Sequence, residues 1–367
     1  MESNMTQLNQ PKRIAILVED AFEDSELLIP YNALKQARAD VKVLGSRGNV
    51  QYAGKQGKFS ITSDASTAEV IPGFFDAILI PGGMAPDIMR TNMRTVHLVQ
   101  DAMRQGKLIA AVCHGPQVLI EGNLLRGRYA TGLRAIRKDM QNAGANYIDA
   151  PIAESGNLLT ARRPGDLPIL TTAILKRLDL QVQGLDLPDI HNFEAPWWKL
   201  AEFWGGSSKA QITEAITHTL QEEQRAAEVC GYHAPKVDDE AIRALYQRLT
   251  TDASNHVRLL TQRLSDLGEI KPELVGDGAQ QAQQAWQTLH DPLDVLLGVL
   301  DKLQERIGNV YQRSITLTDP VTVAILDRME VSLVKSEQQL VNCLQQILLG
   351  ATVQSERTQG THQRQVP

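Results

Sequence analysis

Cysteine is scarce in this chain: 3 in 367 residues, Cys113, Cys230 and Cys343, far apart from one another. That scarcity excludes a disulfide-stapled fold and a Cys-x-x-Cys zinc site. Positive charge is not in excess either. Lys and Arg number 37 against 43 Asp and Glu, a net charge of −6 with a pI near 5.8, which argues against nucleic acid or an anionic membrane as the main partner. No apolar run approaches the roughly 20 residues that span a bilayer, and residues 1–11 are polar, expected to be disordered and without the hydrophobic core of a signal peptide. The chain therefore reads as soluble and cytoplasmic, with no membrane and no nucleic-acid partner. Apolar residues are plentiful at 43%, and the length suits about two domains.

The most informative stretch is residues 108–116, Leu-Ile-Ala-Ala-Val-Cys-His-Gly-Pro. An apolar run ends on Cys113, followed at once by His114 and Gly115, and a helical pattern opens at Pro116. A buried strand thus delivers a thiol to a sharp turn facing a helix N-terminus, a setting expected to favour the nucleophilic thiolate.

Around it, residues 12–180 alternate short β-rich runs with amphipathic stretches. Strands are predicted at 14–18, 41–44, 77–80 and 108–112, and helices at 25–38, 91–105 and 116–121. Further short runs lie at 129–131, 151–154 and 158–161, with a last helix at 167–178. Continuous apolar strands joined by helical crossovers predict a doubly wound parallel sheet of the flavodoxin-like kind. Sites in such sheets lie at the carboxyl ends of strands, where Glu19, Pro81-Gly82-Gly83 and Cys113 all fall.

Residues 181–205 hold Pro188, Pro196 and the tryptophans Trp197, Trp198 and Trp204. Exposed indoles gain nothing in water, so this connector is expected to dock on a domain surface. Residues 206–350 are helical throughout. One stripe runs Ile242, Leu245, Leu249, Ala253, His256, Leu260, Leu264, Leu267; another runs Trp286 to Ile307, and a third Ile325 to Ile347. With a helix near 210–229 they predict an all-α four-helix bundle, helices two and three joined by a crossover of about sixteen residues. Residues 351–367 are polar and expected to be disordered.

Four segments in order, Phe22-Glu-Asp-Ser-Glu26, Ile80-Pro-Gly-Gly-Met-Ala-Pro-Asp87, Ala111-Val-Cys-His-Gly-Pro-Gln117 and Arg162-Arg-Pro-Gly-Asp-Leu167, make the N-terminal part resemble the PfpI/ThiJ family of the class I glutamine amidotransferase-like superfamily. The resemblance implies that Cys113 is the nucleophile, with His114 beside it and Glu26 touching the sulfur. It also implies that Asp87 completes a triad, lent by a neighbouring subunit, hence a homodimer or higher homo-oligomer. Backbone amides at Gly82, Gly83 and His114 would form the oxyanion hole. Glutamine amidotransferases carry a late His-x-Glu pair that this chain lacks, so ammonia channelling is not expected.

The helical part resembles ferritin-like domains of the Dps kind. Di-iron members use Glu-x-x-His motifs, and none occurs between Ser207 and Gly350; Asp252 and His256, at i,i+4, are the nearest metal candidates. No metal and no cofactor is expected. Three functions follow: a cysteine hydrolase or lyase acting on a small carbonyl, amide or peptide, in a stress response; a redox sensor through oxidation of Cys113; or an assembly or iron-handling protein working through the bundle.

Overall fold

The structure, a computed structural model, describes residues 10–270, 276–288 and 292–362. The chain divides into two compact units. The first runs to Lys209 and takes in Ile315–Val321; the second comprises Ala210–Ser314 and the chain from Thr322 onward.

The first unit opens with β1 (Arg13–Leu17), α1 (Asp24–Gln36) and β2 (Asp40–Gly45), then a hairpin of β3 (Gln51–Ala53) and β4 (Ser60–Thr62), and β5 (Ala65–Ser66). It continues through β6 (Ala77–Ile80), α2 (Ala85–Met89), α3 (Met93–Arg104), β7 (Leu108–Val112) and α4 (Pro116–Glu121). Then come β8 (Tyr129–Ala130), α5 (Arg137–Asn142), β9 (Asn146–Tyr147), β10 (Ile152–Ser155), β11 (Leu158–Ala161), α6 (Leu167–Arg177) and α7 (Trp197–Phe203).

The main sheet has the order β10-β11-β7-β6-β1-β2-β5, parallel throughout except where β10 runs against β11. Every residue of β6 and β7 is buried, which is why both read as unbroken apolar runs. Register fixes the site: Ile80 pairs with Ala111 and Ala161 with Val112, so the loops after β6, β7 and β11 leave the sheet at one end. The loop after β1 leaves there too, because Ile16 pairs with Leu79. The predicted doubly wound flavodoxin-like sheet is the observed one.

The connector docks, as its tryptophans suggested. Trp197 and Trp204 are fully buried in the core of the first unit, and the Trp197 indole N–H donates to the Asn192 carbonyl at 2.9 Å.

The second unit is helical: α8 (Lys209–His233), α9 (Glu240–Asp266), α10 (Gly278–Thr288), α11 (Pro292–Thr316) and α12 (Pro320–His362). All eight residues of the stripe from Ile242 to Leu267 are buried. Asp239 caps α9 by accepting from the N–H groups of Ala241 and Ile242 (2.8 and 3.0 Å), and Gly268, at φ +73°, follows its end. One expectation needs refining: the crossover between the second and third long helices is not a plain connector, because Gly278–Thr288 forms α10. The last helix, α12, runs past Gly350 to His362. Of the segments expected to be disordered, residues 1–9 and 363–367 lie outside the described residues.

Candidate active site

Cys113 sits on the turn between β7 and α4 with φ +61°, a left-handed conformation that a side-chain-bearing residue adopts only when its surroundings enforce it. Its N–H donates to the Ala161 carbonyl and its own carbonyl accepts from the Leu133 N–H, so both neighbouring loops pin the turn. Cys113 is buried, 7% exposed.

Three loops meet at the sulfur. Glu26, on the first turn of α1, is completely buried and accepts the Gly82 N–H at 2.6 Å. A Cβ placed on Gly82 would lie 2.7 Å from Cys113 Cβ, 2.7 Å from Glu26 Oε2 and 2.8 Å from the His114 nitrogen. Only a residue without a side chain lets these groups approach so closely. Gly83, at φ +78°, forms a bridge with Phe22 that locks the β6 loop to the β1 loop. The structure therefore brings Cys113, Glu26 and Gly82 together.

Gly82 was expected to offer its amide to an oxyanion; that amide is instead committed to Glu26. Among the described residues the amides of Gly83 and His114 have no such acceptor, and those two donors remain.

The electrostatics also depart from expectation. Burial pushes the Cys113 thiol well above its ordinary value, and the neighbouring Glu26 adds to the rise, while Lys55 opposes it. The helix facing the sulfur has only six residues, so its terminal dipole is a small counterweight to desolvation. Burial, followed by the charge of Glu23, raises the Glu26 carboxyl from 4.5 to about 8; the Gly82 N–H, Cys113 and Lys55 pull the other way. At pH 7 Glu26 holds its proton and can donate to sulfur.

Burial lowers the pKa of His114, with Asp87 raising it, Lys55 lowering it and Gln117 raising it through a hydrogen bond; the balance leaves the imidazole neutral. Asp87 lies in α2, and its charge is among those that bear on His114.

Lys55 and Glu23 were not anticipated. Glu23 is 2% exposed and takes Lys55 Nζ at 2.5 Å and Gln56 Nε2 at 2.7 Å. Asp24 fixes that hairpin loop by accepting the N–H groups of Gln56 (3.0 Å) and Phe59 (2.9 Å). No motif marks Lys55; it reaches the site only because β3 and β4 fold back over the β1 loop. The Arg162-Arg-Pro-Gly-Asp segment has a bracing role: Arg162 forks onto Asp166 at 2.9 and 3.2 Å and reaches Asp149 at 2.9 Å, pinning the start of α6.

In the second unit, the weak metal pair does not form. His256 Nδ1 lies 2.8 Å from Glu223 Oε2, whereas Asp252 lies 3.3 Å from the Ser336 hydroxyl. Glu223 is fully buried and also takes both arms of Arg306, at 2.6 and 3.0 Å. Burial works to raise its pKa, but Arg306 and His256 overcome this and hold it below the ordinary value. A guanidinium already supplies the positive charge that a metal would bring, so this donor set does not fit the metals of ferritin-like bundles. Among the described residues no cluster of three or more His, Cys, Asp or Glu could hold a metal.

An elbow cysteine at the end of a parallel sheet, backed by a buried carboxyl and joined in sequence to a helical domain, defines a class of two-domain cysteine-site proteins. The sequence profile of the DJ-1/PfpI family matches residues 12–177. Protein/nucleic acid deglycase 2 of Escherichia coli is 39% identical over 168 residues, 46% of this chain and 98% of that one. A putative cysteine protease of Bacillus subtilis is 42% identical over 156 residues, 42% of this chain and 92% of its own. The crystal structure of a two-domain protein with DJ-1/ThiJ/PfpI-like and ferritin-like domains from Anabaena variabilis superposes with a TM-score of 0.85 at 45% identity, covering 92% of this chain and 96% of that one. The chain belongs to the DJ-1/PfpI family, and its second unit is a helical domain matching the ferritin-like one of that structure.

Proposed function

We propose that the first unit is a cysteine-dependent hydrolase or deglycase that attacks a small carbonyl, amide or peptide substrate through Cys113. The strained elbow at φ +61°, with the buried Glu26 against it, carries the reading. The names of the deglycase and protease relatives support it. With the thiol protonated at rest, the neutral imidazole of His114 takes its proton as Sγ bonds the carbonyl carbon. The carbonyl π pair moves to oxygen, where the N–H groups of Gly83 and His114 receive it. For an amide, return of that pair breaks the C–N bond, His114 returns the proton to the departing amine, and water releases the acyl group from sulfur. The charge of Asp87 favours the protonated form of His114 while it carries the proton. The reading includes a cytoplasmic homo-oligomer: Met84 and Ile88, flanking Asp87, are exposed apolar side chains that a second copy would cover.

The test is turnover of methylglyoxal and of a peptide amide by the full chain and by Cys113→Ala. Activity should fall to background in the variant; activity retained by Cys113→Ala would overturn the assignment. One observation also favours a sensing role. A protonated Glu26 is a ready donor to an oxidised, anionic sulfur, so mild peroxide should add one or two oxygens at Cys113 before Cys230 or Cys343 reacts, as read by peptide mass.

A further inference from the structure

We infer that the helical unit holds a second small-molecule site, for a neutral and mainly apolar ligand, in the cavity between α8, α10 and α11. The cavity measures about 410 Å³, and its walls are Ala226, Val229 and Cys230 of α8, Ala282 of α10, and Val299 and Leu303 of α11. That size and lining are those of a ligand pocket, and the core of a helical bundle is where such pockets are built.

The charges at its rim disfavour an ionic ligand, because each already has a partner within the chain. Arg306 is spent on Glu223 (2.6 Å), Arg225 on Asp277 (3.0 Å) and Lys302 on Glu305 (2.7 Å), while Glu222 is held by Arg313 (2.7 Å). An ionic ligand would have to displace one of these pairs and leave its own charge against apolar walls. A neutral one displaces nothing and removes apolar surface from water. Cys230 is 4% exposed, and burial pushes its thiol up to about 12, so it stays protonated and serves as wall, not as nucleophile. The site is thus a binding pocket, independent of the chemistry at Cys113.

The test uses two fluorescent probes that share one aromatic skeleton, N-phenyl-1-naphthylamine, which is neutral, and 1-anilinonaphthalene-8-sulfonate, its anionic counterpart. Each is titrated into the full chain and into two variants, Val299→Trp and Gly298→Leu. Gly298 of α11 also lines the cavity; a Cβ there meets nothing within 4 Å, and leucine improves helix propensity, so this second variant fills the site and folds even should the first not. The expected result is saturable 1:1 binding of the neutral probe, at least about tenfold tighter than the anion, with about tenfold or greater loss in either folded variant. Absence of saturable binding, equal or tighter binding of the anion, or binding unchanged in Gly298→Leu would each overturn the proposal.

Discussion

Replacing Glu26 with glutamine isolates the most strongly perturbed carboxyl of the active site. In the native protein burial raises this group from 4.5 to about 8, which at 1.36 kcal/mol per pH unit corresponds to about 5 kcal/mol. The sign follows from proton counting. Between 4.5 and about 8 the folded protein holds a proton that the unfolded chain has released, so stability falls as pH rises. The contribution is complete below the unfolded value and lost above the folded one.

Glutamine reproduces the protonated acid. Its oxygen still accepts the Gly82 N–H and its amide donates toward sulfur, but it does not titrate. The stability of the wild type minus that of Glu26→Gln should therefore decline by about 1.4 kcal/mol per pH unit, about 3 kcal/mol between pH 5.5 and 7.5. Urea unfolding followed by tryptophan fluorescence reads the right unit, because Trp197 and Trp204 are fully buried there. A difference that stays flat over that interval would show that Glu26 is ionised in the fold.

Two further substitutions probe charges that act without a motif. Lys55→Met removes the cation that lowers the Cys113 pKa, so alkylation of Cys113 by iodoacetamide near pH 8, followed by intact mass, should slow several-fold; an unchanged rate would remove Lys55 from the site. Arg306→Leu strips Glu223 of its bidentate partner and should cost about 3–5 kcal/mol, whereas the double variant Glu223→Leu/Arg306→Leu should cost much less. Thermal unfolding followed by far-UV circular dichroism compares the two, and a double variant as unstable as the single one would refute the ion-triad account.

The sheet was legible because β6 and β7 carry their burial in their composition, with no polar residue to confuse strand with loop. The long helices were legible for the opposite reason, since α9 displays one apolar stripe with a cap and a stop. What escaped were short elements with little periodicity. The hairpin β3–β4 has three residues per strand, and α10 follows a glycine-rich start at Gly276 and Gly278, where neither period can be read.

Within the site, Gly82, Gly83 and Cys113 could be named in advance because each follows an apolar run at the same end of the sheet, whereas Glu26 and Asp87 came from the family resemblance. Their protonation could not be named, because it depends on desolvation and on cations brought in by other loops. Two buried glutamates make the point. Glu26 is enclosed by Gly82, Cys113 and apolar neighbours, and the nearby cation, Lys55, is bound to Glu23, so desolvation wins and the carboxyl stays neutral. Glu223 is buried as deeply, yet Arg306 and His256 contact it directly, so attraction wins and it stays anionic. In sequence both are glutamates on amphipathic helices. In the fold one is a protonated acid held against a thiol and the other a brace already satisfied by its own counter-charges, so the ion triad of the second unit offers a metal nothing.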